Sequence, residues 1–252
     1  MSDAVVAAIV AGVVSLLVTF GKVLWDARQK KQERRLAARE KLDRYREPLL
    51  TAVDDLGSRI NNIRNDGFLF YLRTRGRERT ALLGTLFRFA QFFGWIEILY
   101  GSFDRLRFER DKSTKAVADV LRNIGRTFAV DRLDRADPSD FTTTQLMIWR
   151  EEQRAIGEVM RAGDDPPRCM SFDSFVKEYD SRFAIWFGTF ASQLDPASTP
   201  CSDRLAELQR LLASLIRELD VDRVLVQADP DGIVTEPRWA QPSMSVTRQK
   251  RT

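Results

Sequence analysis

The longest uninterrupted apolar run lies at the start of the chain. Ala4 to Gly21 contains no charged residue, and its only hydroxyl side chains are Ser15 and Thr19. If the Lys22 ammonium reaches outward along its stem, Val23, Leu24 and Trp25 extend the apolar length to about 22 residues, enough to cross a hydrocarbon core. Trp25 then falls at the level where interfacial aromatics sit. The pattern changes after it. Leu42, Tyr45, Leu49, Val53, Leu56, Ile60 and Ile63 follow one another at steps of three and four, which is the seam of a helix. Thr80 to Phe103 is apolar and aromatic on every face, as in a core helix or a second span. Arg88, Gln91 and Glu97 favour the core helix, because a charge at mid-span is costly. Further helices are expected at about Thr114–Phe128, Thr144–Arg161, Phe172–Leu194 and Ser202–Leu219. Ser113, Ser171 and Cys201-Ser202-Asp203 stand where N-caps are wanted, and Pro138, Pro166-Pro167 and Pro196 to Pro200 lie in the loops. Val224 to Thr235, turning at Asp229-Pro230-Asp231-Gly232, reads as a β-hairpin. Pro237 to Thr252 is polar and aperiodic and reads as disordered.

The expected fold is therefore all-α. A single transmembrane helix occupies residues 1–25, a basic juxtamembrane helix 26–47, a multi-helix cytoplasmic bundle 48–220, and a small hairpin with a disordered tail 221–252. Pro48 suits either the first turn of a new helix or a kink in a continuing one.

Charge sets the orientation. Residues 26–47 carry nine Lys/Arg against five acids. The excess of basic residues beside the span places this side in the cytoplasm and the N-terminus outside, with the protein in the inner membrane as a single-pass chain. No basic residue precedes the apolar run, which argues against a cleaved signal peptide. Lys22, Trp25, Arg28, Lys30, Lys31, Arg34 and Arg35 are the candidates for contact with the bilayer and its anionic inner-leaflet lipids; a solvated stalk is the competing reading. Ala4, Ala8 and Gly12 form a row of small residues that would let two spans approach closely, so a homo-oligomer is one expectation.

Composition narrows the chemistry. Histidine is absent, which removes His-dependent triads and His-containing metal sites, and the net charge of +4 does not by itself call for nucleic acid. Cys169 and Cys201 flank a segment read as one helix, which would hold them too far apart for a disulfide, so two free thiols are expected. No glycine-rich phosphate loop is present, and Asp229-x-Asp231-Gly232 lacks the later ligands of a calcium loop. Neither a metal nor a cofactor is expected. The run Arg73-Thr74-Arg75-Gly76-Arg77-Glu78-Arg79 is a basic loop. A solvated loop is the first reading, lipid contact the second and nucleic acid the third.

Arg59, Asn62, Gln91, Glu97, Gln153, Arg154 and Glu158 are polar residues set into otherwise apolar helical stretches. They are candidates for a buried polar network between helices, with a ligand site as the alternative; Glu97, if buried, needs a partner such as Arg. The stretches Tyr45-Arg-Glu-Pro-Leu-Leu50, Ser58-Arg-Ile-Asn-Asn-Ile63, Ala90-Gln-Phe-Phe-Gly-Trp-Ile-Glu97 and Glu152-Gln-Arg-Ala-Ile-Gly-Glu158 resemble an uncharacterised bacterial family with an N-terminal span and a helical body. The resemblance covers roughly residues 1–195. It implies a bacterial inner-membrane setting and assigns no activity and no functional residue.

Three functions are compatible with this pattern. The first is a membrane-tethered, non-enzymatic scaffold or adaptor that binds another protein. The second is a self-assembling effector that perturbs the bilayer, and the third an enzyme using carboxylates around Glu97.

Overall fold

The computed structural model describes residues 3–102, 114–131, 145–163 and 166–220; over residues 3–41 the backbone is described but only some of the side chains. Among the described residues the protein is all-α, apart from one two-residue strand pair.

Helix α1 runs without interruption from Asp3 to Asn65, 63 residues, with Pro48 inside it. The charged stalk and the first helix of the domain are thus one element, the continuing alternative at Pro48. The seam residues Leu42, Tyr45, Leu49, Val53, Leu56, Ile60 and Ile63 are all buried, so this helix packs into its own domain from Leu42 onward. It ends at a left-handed Gly67, followed by a 3-10 turn over Phe68–Arg73.

Helix α2 (Glu78–Ser102) is the centre of the core. By length and composition it could span a membrane, yet 61% of its apolar window is buried inside the domain. Leu86, Phe89, Ala90 and Phe92 are sealed from solvent. On one side α2 packs against α1, and on another against α4 (Arg150–Met160). Helix α3 (Lys115–Ala129) packs on α7 (Asp203–Leu219), and α7 in turn on α1. Phe89 lies edge-on to Phe190 at 4.9 Å and to Phe128 at 5.9 Å, and Phe93 reaches Phe128 at 5.2 Å. Such edge-to-face pairs join α2 to its neighbours and add about 0.5–1.5 kcal/mol each beyond the area they bury.

The helix expected at Phe172–Leu194 is helical from Phe172 to Ser192 but not uniformly so. Helix α5 (Phe172–Glu178) passes through a π turn (Tyr179–Phe183) into α6 (Ala184–Ser192). The sequence supplies the reason. Phe175, Tyr179, Phe183 and Phe187 are spaced by four residues three times in succession, which overruns the 3.6-residue period. A π turn, closed here by the Ala184 N–H donating to the Tyr179 carbonyl, takes up the excess, and all four rings stay inside.

Among the described residues the helix expected from Thr144 begins only at Arg150; residues 145–149 are non-helical, with Leu146 and Ile148 buried and Gln145 and Trp149 exposed. Leu146 there has φ 59°. Strands β1 (Arg161–Ala162) and β2 (Arg168–Cys169) pair antiparallel just after α4, a feature with too few residues to show in the pattern. Ser171 and Ser202 cap α5 and α7 through their hydroxyls, as expected. Ser113, the hairpin over 224–235 and the tail lie outside the described residues.

Glycine enables the tightest contact. A Cβ on Gly157 would lie 2.7 Å from the Phe93 carbonyl oxygen, and one on Gly94 would lie 2.8 Å from Met160 Cβ. The two glycines let α2 and α4 approach backbone to backbone.

Candidate functional site

The seven polar residues set into the apolar helices do not converge on one network. Arg59 lines one cleft, Gln153, Glu97, Arg154 and Glu158 line a second, Gln91 lines neither but accepts from Arg88 of the first, and Asn62 belongs to neither. With its amide turned so that the nitrogen faces the neighbouring acceptors, Asn62 donates to the Ser58 carbonyl and the Asp66 carboxylate at 3.2 Å each, a local arrangement at the end of α1.

The second cleft, about 660 Å³, opens between α2, α3 and α4. Glu97, with 15% of its side chain exposed, accepts from Arg154 Nε at 3.3 Å, and Arg154 itself is 64% exposed. The expected arginine partner is present, but the pair sits at the rim rather than in the interior. Glu158 is 4.0 Å from Arg154 on the same helix face. Gln153 is the one residue of this set that is buried. Its Nε2 donates to the carbonyls of Ile148 at 2.7 Å and Gly125 at 2.9 Å. That places it as a fastener of backbone.

The interior polar network lies elsewhere, around residues 145–149. Arg204 is 1% exposed. It donates to the carbonyls of Gln145 at 2.9 Å, Val130 at 2.8 Å and Thr127. Burial pulls its guanidinium down to about 10, with Asp131 opposing the shift. The Leu146 N–H donates to Gln193 Oε1 at 2.6 Å. An irregular segment that buries Leu146 and Ile148 must have its inward backbone groups satisfied, and Arg204, Gln193 and Gln153 do this. A similar tie holds the end of α1 to α7, where Gln209 accepts from Arg64 and donates to Asn61 Oδ1 at 3.2 Å. Arg204 and Gln209 were legible in one respect: both fall on the buried stripe of α7, with Leu205, Leu208 and Leu212.

The first cleft is of a different kind. It measures about 630 Å³ and lies between the end of α1, the 3-10 turn and α2, with Phe172 at its edge. Phe68, Tyr71, Phe87 and Phe172 contribute aromatic surface, and Arg59, Arg77 and Arg88 contribute charge. The Arg59 guanidinium lies 3.7 Å over the Phe68 ring and reaches Thr85 Oγ1 at 3.5 Å. Burial, followed by the nearby Arg88 charge, lowers its pKa, while Asp55 opposes this. Arg88 is ion-paired with Asp55 and also reaches Gln91 at 3.3 Å. Of the basic loop, Arg73 pairs with Asp195 at 3.5 Å and Arg79 with Asp180 at 2.8 Å. Arg77 lines the cleft and has no ion-pair partner among the described residues.

Lys22, Trp25, Arg28 and Lys30 are exposed along α1; Ala4, Ala8, Gly12, Lys31, Arg34 and Arg35 are described only as helical backbone. Cys169 and Cys201 are both free, and burial pushes the Cys169 thiol up to about 12. Its Sγ lies 3.7 Å from the Gln91 carbonyl. Among the described residues no group of three or more Cys, Asp or Glu is placed to hold a metal ion. The chain matches no family model, no curated protein and no solved structure, so the reading of its sites rests on geometry.

Proposed function

We propose that the chain is a membrane-tethered helical adaptor that holds its domain at the inner face of a bacterial membrane and binds another protein there. The observation that carries this reading is the continuity of α1. One helix contains the apolar run Ala4–Gly21, the basic segment after Trp25 and the seam that builds the core from Leu42. At 1.5 Å per residue, the stretch from Trp25 to Leu42 is about 25 Å long. A domain fixed to its span by a rigid helix stands off the headgroups at a set height, which suits presentation of a surface to a soluble partner. The basic excess of the stalk favours the cytoplasmic side and anionic lipids near it.

The test is a pair of fusions after Thr252, one to a reporter active only in the periplasm and one to a reporter active only in the cytoplasm. The adaptor reading expects signal from the cytoplasmic fusion alone. Strong periplasmic signal would overturn it, and so would membrane depolarisation on modest expression, which belongs to a bilayer-perturbing effector.

A further inference from the structure

The first cleft combines features that an ordinary surface keeps apart. Tyr71 is 52% exposed and Phe172 38%, and they flank the opening. Beneath them Phe87 meets Phe172 edge-on at 5.2 Å. Aromatic rings and arginines together are the residue types enriched where proteins bind one another: the rings offer large contact area with little entropy to lose, and the guanidinium adds a planar, directed charge. Between these groups the floor is bare. A Cβ built on Gly84 meets no heavy atom within 4 Å, so the helix surface there is open to an inserted side chain. The volume of about 630 Å³ is within the range of pockets that hold a drug-sized ligand, which corresponds to a few peptide residues.

Charge decides what the occupant carries. Three guanidinium groups face the cleft and one carboxylate, Asp55, answers them through Arg88. Arg59 is spent on neutral partners, the Phe68 ring and Thr85. Arg77 remains at the mouth without an ion pair among the described residues. Position decides where the occupant comes from, and here the argument rests on the tethered reading of α1. Arg59 lies 34 residues beyond Trp25 on the same helix, about 50 Å along its axis, beyond the reach of lipid headgroups when the helix stands upright.

We propose that this cleft binds a short acidic segment of a partner protein. An aromatic or bulky aliphatic side chain of that segment sits over Gly84 between Tyr71 and Phe172, and an adjacent carboxylate pairs with Arg77. The cleft is open to solvent, which suits a stretch of a longer chain better than an enclosed metabolite.

The test uses the full chain in detergent. Random heptapeptides displayed on phage are selected against it, and the selected sequences are synthesised with a fluorescein label for anisotropy titration. The expected selection is Asp or Glu beside Phe, Trp, Tyr or Leu. Gly84→Leu fills the cleft at a position with free space and better helix propensity, so it should fold and still raise Kd at least about tenfold; Arg77→Glu should do the same through charge. Circular dichroism of both variants confirms the fold. Selected peptides that bind both variants as tightly as the wild type would overturn the proposal, as would selection of basic or uncharged sequences. It would also be overturned if no peptide bound, whether or not a labelled single-stranded oligonucleotide bound in a manner abolished by Gly84→Leu. None of these results depends on which way the chain inserts. Failure here would leave the tether standing, and a periplasmic reporter signal would leave the cleft standing.

Discussion

Gly157 of α4 lies so close beneath the Phe93 carbonyl of α2 that a single added carbon would stand 2.7 Å from that oxygen. The contact partner is backbone, so it cannot swing away. Gly157→Ala should therefore destabilise the domain by about 1–3 kcal/mol, although alanine is the better helix former. Gly84→Ala, with open space around it, should instead stabilise by up to about 1 kcal/mol. Urea denaturation of the two variants checks the contrast. A Gly157→Ala midpoint at or above wild type would mean that α2 and α4 do not pack this closely.

The guanidinium of Arg204 is the fastener of the irregular segment before α4. Truncation to Ala removes donors from the carbonyls of Gln145, Val130 and Thr127 and leaves a cavity in their place. The Thr127 acceptor is buried and the other two are part-buried and within reach of water, so Arg204→Ala should cost about 2–4 kcal/mol, unpaired acceptor and cavity together. Arg154→Ala, at the rim, should stay within about 1 kcal/mol, as should Glu97→Gln, because a pair with one highly exposed partner is screened by water. Parallel denaturation curves rank the three, and a larger loss at Glu97 than at Arg204 would reverse the assignment of the interior network.

The exchange between Glu97 and Arg204 shows what the sequence could and could not reveal. Period and apolarity were enough to find the seam from Leu42 to Ile63, the core role of α2 and most helix positions, because burial acts on every third or fourth residue. Whether a polar residue in an apolar stretch points inward depends on a phase of tens of degrees and on what crosses above it. Glu97 sits in an apolar run but faces the rim. Arg204 lies on the apolar stripe of α7, but its charge hides that in the sequence; the carbonyls at the end of α3 and at Gln145 are what accept its guanidinium inside. The π turn was legible in the repeated four-residue spacing from Phe175 to Phe187, and was hidden by treating steps of three and four as equivalent. The aromatic and cationic cleft joins Arg59, Arg77 and Phe172, which are far apart in the chain, so no local pattern announces it.

The two thiols should differ in reactivity. Cys201 is exposed and Cys169 half-buried with its thiol pushed up to about 12. The thiolate is the nucleophile, so brief iodoacetamide treatment at pH 8 should label Cys201 and spare Cys169, as read by peptide mass spectrometry. Equal labelling would place Cys169 at the surface. Stability should follow the same thiol. Unfolded, it titrates near 9.0; folded, near 12. The folded state thus retains a proton that the unfolded state releases, and stability is untouched below pH 9 and falls as pH rises toward 12. Cys169→Ala should flatten that part of the pH profile by up to about 1.4 kcal/mol per pH unit. An unchanged slope would contradict the burial of this thiol.

The most direct test of the whole account is the continuity of α1 across Pro48. Gln29 and Ser58 are exposed on either side of it. In a Cys169→Ala, Cys201→Ser background, Gln29→Cys and Ser58→Cys carry spin labels, and pulsed electron paramagnetic resonance reads their separation in lipid nanodiscs. A continuous helix places 29 residue steps between them, about 44 Å along the axis, as a narrow distribution shortened only slightly by any bend at the proline. A broad distribution centred well below that distance would mean that the helix breaks into a pivot at Pro48. The proposed tether would then be a hinge and not a strut.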